Sequence, residues 1–286
     1  MLVKKLTLNS SGYPELLRNI PNPPQELYHA GQPLGDLLKK PRVAIVGSRS
    51  ISPYGRQVTI RLARELAEQG IVIISGLAFG VDYTAHRAAL DAGGLAIAVL
   101  PSPLEAIAPA TNRDLAQDIL DKGGALVSEY PAGTHPVKQY FIARNRIVSG
   151  LADALLITEA AEKSGSLHTS NFALDQGKTV LAVPGNITSQ GSVGTNNLIK
   201  TGATPVTSYA DVMHVLGIKV NETARLIKGR NANEQAILDL MVRGISDGHQ
   251  LLDISGLSAS HFSQALTMLE LGGKIRPLGA DKWGIY

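Results

Sequence analysis

Three short segments combine the residue types that hold phosphates and nucleobases. Lys138-Gln139-Tyr140-Phe141-Ile142-Ala143-Arg144-Asn145-Arg146 sets three cations and two aromatics within nine residues. On a helix, Lys138, Phe141 and Asn145 fall at i, i+3 and i+7 and share a face, so a charge stands beside a ring. That pairing is how proteins hold single-stranded nucleic acid without reading its sequence. A second reading stands beside it, with Tyr140 or Phe141 in the core and the arginines bridging to carboxylates. Gly47-Ser48-Arg49-Ser50 follows an apolar run. There a glycine allows close backbone approach, the amides and hydroxyl can donate to a phosphate, and Arg49 adds charge, although Gly-Ser also serves turn geometry alone. The third segment, Glu159 to Thr169, places Gly165 and Ser166 at a helix start, with Ser166 and Thr169 able to reach an anion.

Reaction chemistry is harder to assemble. His168 has the type of a general base, but no serine or cysteine elbow accompanies it. The chain has no cysteine, which removes disulfides, thiolate nucleophiles and cysteine-rich zinc sites. A dinucleotide site wants GxGxxG after its first strand and an acid after its second; here the first loop reads GSRSISPYG and the second run ends in Ser75-Gly76. In Ser75 to Asp82 two glycines bracket an apolar turn, and Asp82 is positioned to cap the helix carrying His86 and Arg87. The late loops, Val183-Pro184-Gly185 and Gly191 to Asn197, offer glycines and amides without an acid. The expectation is a binding surface and no enzyme, with no cofactor and no metal.

These loops need a frame that gathers them. Seven apolar runs begin at residues 42, 71, 95, 125, 154, 179 and 204, and amphipathic stretches such as Arg56 to Gln69, with Val58, Leu62 and Leu66 on one face, lie between them. Strands apolar throughout belong to a parallel sheet covered on both faces, and right-handed crossovers then give a doubly wound arrangement. The fold class expected is therefore α/β: a doubly wound, mostly parallel Rossmann-like sheet over 41–217 with a small C-terminal winged-helix domain over 232–286. Ligands of such sheets bind outside the carboxyl ends of the strands, where the three segments fall. Residues 1–40, with five prolines, read as an extended lead segment packed on the main domain, and 218–231 as a linker. The tail reads as helices over 233–243, 247–252 and 258–272 followed by short strands around Leu278 to Asp281. A small protein-docking module fits that tail equally.

Hydrophobic residues make up 44% and charged residues 18% of the 286, a globular composition, and no run of about 18 apolar residues exists. The N-terminus lacks the apolar core and cleavage site of a secretory signal, so a cytoplasmic protein is expected. The formal charge is +3. Residues 229–286 hold five Lys/Arg against six Asp/Glu, leaving 22 against 18 in the rest, so attraction to phosphate belongs to the larger domain.

Taken together, GSR after the first run, SGLAFGVD after the second, FIARNRIVSGL, SGSLHTSNFALDQGK, AVPG and GSVGTNNLIKTGA resemble the DNA-processing protein A (DprA/Smf) family. YPELL and PPQELYHAGQP resemble that family's entry into its Rossmann-like domain, and the tail resembles the winged-helix domain many members append. Too few residues precede Arg42 for the extra N-terminal helical domain of some members. The resemblance implies a protein that binds incoming single-stranded DNA in natural transformation, protects it, loads the RecA recombinase and forms homodimers. It puts phosphate contacts on Gly47, Ser48, Arg49 and Lys138, base stacking on Phe141, and supporting contacts on Arg144, Asn145, Gly165 and Ser166. The competing class is a phosphoribohydrolase of nucleoside monophosphates on a related fold, whose PGGxGTxxE motif supplies a catalytic glutamate. In this chain GSVGTNNLI offers Asn197 and Leu198 after Thr195, and an amide cannot act as that base. A winged-helix transcription factor would want a basic recognition helix, and Ser258 to Gly272 contains no Lys or Arg.

Overall fold

Each of the seven apolar runs forms a strand, and all but the last, short one at 204 are buried on both faces or nearly so. The computed structural model describes residues 2–219, 229–279 and 281–285. In chain order its first unit contains strands β1 (Lys4–Thr7), β2 (Glu26–Gly31), β3 (Arg42–Val46), β4 (Val72–Ser75), β5 (Ala96–Leu100), β6 (Ala125–Ser128), β7 (Ala154–Ile157), β8 (Thr179–Ala182) and β9 (Thr204–Pro205). They make one nine-stranded sheet, ordered β1-β2-β6-β5-β4-β3-β7-β8-β9. Strands β3 to β9 are parallel to one another. The lead segment is more ordered than its prolines suggest: β1 pairs antiparallel with β2, and β2 pairs antiparallel with β6, extending the sheet beyond its parallel part.

Helices cover both faces: α1 (Glu15–Arg18), α2 (Leu34–Leu37), α3 (Pro53–Glu68), α4 (Val81–Asp91), α5 (Arg113–Asp121), α6 (Lys138–Ala143), α7 (Asn145–Leu151), α8 (Ser166–Asp175), α9 (Val193–Lys200) and α10 (Tyr209–Val215). The strand period of two sorts the side chains between the layers. Ala44 and Val46 of β3 pack with Leu17 of α1, Val148 of α7 and Ala173 of α8. Val43 and Ile45 pack instead with Leu62 and Leu66 of α3, Ala85 of α4 and Val212 of α10. Leu90 of α4 and Leu115 and Ile119 of α5 cover the β5–β6 end of that second face. Two apolar layers on one sheet leave its carboxyl edge as the place where the loops gather.

From β3 the chain steps through α3, α4 and α5 to β4, β5 and β6 on one side, then returns through α6 and α7 to β7 on β3's other side. Loops leaving β3 and β7 diverge at that reversal, and a crevice opens between them.

The second unit is separate from the first in its contacts, the division falling at Val220/Asn221. It holds α11 (Ala232–Val242), α12 (Gly248–Ser255) and α13 (Ala259–Leu271), then the antiparallel pair β10 (Ile275–Gly279) and β11 (Lys282–Ile285). Asn231, Asp247 and Ser258 each cap their helix by accepting a backbone N–H three residues on. Ile237, Leu251, Phe262, Leu266 and Ile275 form its core. The short strands expected around 278–281 are the end of β10 and the start of β11, which reach further to either side. Positions 220–228 of the expected linker lie outside the described residues.

Candidate nucleic-acid interface

At the reversal, the backbone after β3 is clamped from two sides. Ser48 N donates to the Glu159 carbonyl at 2.8 Å, and the Ser48 carbonyl accepts from Val81 N at 3.1 Å. A Cβ on Gly47 would stand 2.6 Å from both the Glu159 oxygen and a Val81 methyl, so glycine is required for this three-loop junction. The Ser48 hydroxyl accepts from Ser50 N at 3.2 Å. Gly47 and Ser48 therefore sit in the crevice, but the Ser48 amide that the sequence offered to a phosphate is already engaged. What the loop sends outward is Arg49, which is exposed.

The Arg49 guanidinium lies over the Phe141 ring, 5.2 Å from its centroid, a cation–π arrangement joining the first two segments. Phe141 is half-buried on α6, so one reading of the segment, a ring lost in the core, does not describe it. Lys138 begins α6 and is exposed; among the described residues neither Lys138 nor Arg49 has a carboxylate partner within ion-pair distance. The other aromatic, Tyr140, stacks on Tyr130 with centroids 4.1 Å apart. Burial, with Glu129 adding to it, pushes the Tyr130 phenol well above its usual range.

Arg144 and Arg146 face the protein instead, Arg146 bridging to a carboxylate as the alternative reading has it and Arg144 bonding backbone carbonyls. Arg146 forms a two-pronged pair with Glu129 at 2.8 and 2.6 Å and donates to the Asn22 carbonyl at 2.8 Å. Arg144 is only 2% exposed. It donates to the Gly76 and Val99 carbonyls at the ends of β4 and β5, and through Nε to Asn145 Oδ1 at 3.2 Å. Burial pushes its pKa down to about 10, with Asp82 opposing the fall. The supporting role expected of Arg144 takes a definite form here: its guanidinium, bonded to two interior carbonyls, ties together the ends of β4 and β5 beneath the crevice. Asn145, half-buried, orients it.

Asp82 completes this buried layer. It does not cap α4, whose N-cap is Gly80. Its Oδ2 accepts from Gly76 N at 3.1 Å and Ala78 N at 3.4 Å, folding the loop after β4 back on itself. Burial raises its pKa, against Arg144 and the amide bonds. His86, one turn on, is fully buried and held neutral, its pKa pushed down to about 3 by burial.

From the third segment, Gly165 is exposed at the N-terminus of α8, while Ser166 is 7% exposed and shares a 2.8 Å hydrogen bond with the Ser164 hydroxyl. Ser166 therefore presents little to solvent. His168 is exposed on the first turn of α8. Nothing in the sequence signalled the role of Glu159. Its carboxylate, buried at the end of β7, reaches the late glycine loop, where a Cβ on Gly191 would lie 3.3 Å from its Cδ. An acid does approach that loop, but from another strand. Both its oxygens are bonded to Ser52, one to the amide at 3.0 Å and one to the hydroxyl, and Ser52 caps α3 by accepting from Gly55 N at 3.0 Å. Only the glycine at 55 leaves room for it. Among the described residues no group of three or more His, Asp or Glu side chains is placed to hold a metal ion, and no helix is long and apolar enough to cross a membrane.

A doubly wound sheet with a cationic, aromatic-lined carboxyl edge, followed by three helices and a hairpin, defines the class: a Rossmann-like domain joined to a winged-helix domain. The profile of the DNA recombination-mediator protein A family matches residues 4–217, and that of the DprA winged helix domain matches 221–281. The chain belongs to this DNA-processing protein A family. Protein Smf of Escherichia coli (strain K12) is 46% identical over 175 residues, 61% of this chain and 47% of that protein, so the chain spans about half of that relative's length. The X-ray structure of DNA processing protein A from Streptococcus pneumoniae superposes with a TM-score of 0.69 at 40% identity, covering 74% of this chain and 73% of that one. DNA processing protein A from Helicobacter pylori, whose structure describes a single-stranded DNA binding mode, superposes with a TM-score of 0.66 at 36% identity, covering 75% and 95%.

Proposed function

We propose that this chain binds single-stranded DNA at the carboxyl edge of its sheet and catalyses no reaction there. The observation that carries the reading is the Arg49 guanidinium over the Phe141 ring beside the exposed Lys138, cations without carboxylate partners among the described residues, at the sheet's reversal point. Arg49 and Lys138 take phosphates and Phe141 takes a base, while Gly165 at the start of α8 lends partial positive charge. Gly47 and Ser48 shape the crevice, and Arg144 with Asn145 holds the floor beneath it. The single-strand binding described for the Helicobacter pylori relative supports the choice of ligand.

By family resemblance the wider role is DNA processing in natural transformation, in the cytoplasm, with the chain acting as a homodimer that protects the strand and loads the RecA recombinase. The phosphoribohydrolase alternative is disfavoured by the placement of Glu159: its carboxylate is buried and each oxygen already accepts a hydrogen bond from Ser52, an arrangement that fixes a loop junction rather than presenting a base to a substrate. The test is equilibrium binding of single- and double-stranded oligonucleotides at several salt concentrations. The expected result is a preference for single strands, with Arg49→Ala and Lys138→Ala each making the log–log salt dependence shallower by roughly 0.7. Unchanged slopes in both variants, or free base released from nucleoside monophosphates by the wild-type protein, overturn the proposal.

A further inference from the structure

We infer that Phe79, on the loop after β4, is a second aromatic contact for the same strand; this rests on the reading above and adds a base site to it. Phe79 is a large apolar side chain left 49% exposed at the carboxyl edge. The loop that bears it is anything but slack. Leu77 is fully buried at a positive φ of 55°, a conformation that costs a non-glycine residue energy and persists only where its surroundings enforce it. The enforcement is visible: the Leu77 carbonyl accepts from Asn112 Nδ2 at 2.8 Å, Asp82 accepts from the Gly76 and Ala78 amides, and Arg144 donates to the Gly76 carbonyl.

On its other side the loop locks onto the phosphate-binding segment. Gly80 has φ 75°, and a Cβ there would stand 2.6 Å from the Arg49 carbonyl. Val81 N donates to the Ser48 carbonyl. The backbone next to Phe79 therefore packs on the backbone of Arg49, whose guanidinium covers Phe141. A strained loop, pinned at Gly76, Leu77 and Ala78, that buries its leucine and leaves its phenylalanine exposed next to the Arg49 backbone is built to present that ring. Bases stack on such a ring whatever their identity, because every base has a π-face. A ring held by a rigid loop also loses little freedom when a base settles on it.

The experiment measures anisotropy of a labelled oligothymidylate with the full chain, its Phe79→Ala, Phe79→Trp and Phe141→Ala variants, at several salt concentrations, beside melting temperatures. Phe79→Ala is expected to weaken binding about fivefold or more, with an unchanged salt slope and melting temperature, and Phe79→Trp to restore it. Wild-type affinity in Phe79→Ala while Phe141→Ala is weakened overturns the inference and leaves the main site standing. Binding lost together with thermal stability and not restored by tryptophan also overturns it, making Phe79 structural. Absence of binding by the wild-type protein overturns both this inference and the reading it rests on.

Discussion

Replacing Arg144 should unfold the site rather than weaken it directly. The side chain is 2% exposed, donates to the Gly76 and Val99 carbonyls and to Asn145, and faces the buried Asp82. Arg144→Met keeps most of the volume but leaves two carbonyls unbonded and Asp82 without its nearest opposite charge. Breaking a buried charge pair by removing one partner costs about 3–5 kcal/mol. Protonation of Asp82, whose pKa burial already raises, relieves part of that, so the lower half of the range is expected at neutral pH. For a unit of this size about 3 kcal/mol corresponds to roughly 6–12 °C in Tm. Thermal melting of Arg144→Met at pH 7 measures it, and Asp82→Asn combined with Arg144→Met should recover part of the loss, since the double variant strands no carboxylate. A melting temperature within a degree or two of wild type, with single-strand affinity lost, would refute the reasoning and return Arg144 to the ligand-contacting surface.

Phe141→Ala should cost on the order of 1–3 kcal/mol in single-strand affinity with little change in salt slope, because stacking releases no counterions, and its half-buried ring should leave the melt nearly intact; affinity and melting measured side by side check both. A fragment of residues 1–228 should keep oligonucleotide binding, read by the same titration, because the unit before Val220 has its own core and all the net positive charge. His86 sets an acid limit: the folded state resists its protonation down to about pH 3, whereas an unfolded histidine takes the proton near 6.5. Its contribution is therefore complete above pH 6.5 and is lost as pH falls, by about 2 kcal/mol between pH 7 and pH 5. The raised Asp82 pKa works in the opposite direction as pH falls, so urea melts should compare wild type with His86→Leu, whose acid limb should be flatter.

The parallel sheet was legible in the sequence because burial on both faces makes each strand an uninterrupted apolar run, and all seven runs are strands. Strands β1 and β2 were not, since KKLT is a mostly exposed edge strand and ELYHAG, between it and β6, is only partly buried, both among prolines and without such a signature. The segment 138–146 was recognisable as a concentration of charge and rings. Its division into outward Lys138 and Phe141 and inward Arg144 and Arg146 was not, because a helical projection does not say where α6 lands relative to the ends of β4 and β5. Glu159 escaped notice for the same reason: its neighbours Ser52, Gly55 and Gly191 come together only when three loops converge.

The mutual bonding of the loops after β3, β4 and β7 has a kinetic consequence. With Ser48 joined to both Glu159 and Val81, and Glu159 joined to Ser52, little of the crevice remains to be ordered when a strand arrives. On the proposed reading, encounter then needs no slow isomerisation, and its rate should be set by diffusion and by the steering of Arg49 and Lys138. Variants that trim the aromatic contacts will leave the association rate almost untouched and shorten the residence time, so a strand would be captured equally often but held more briefly.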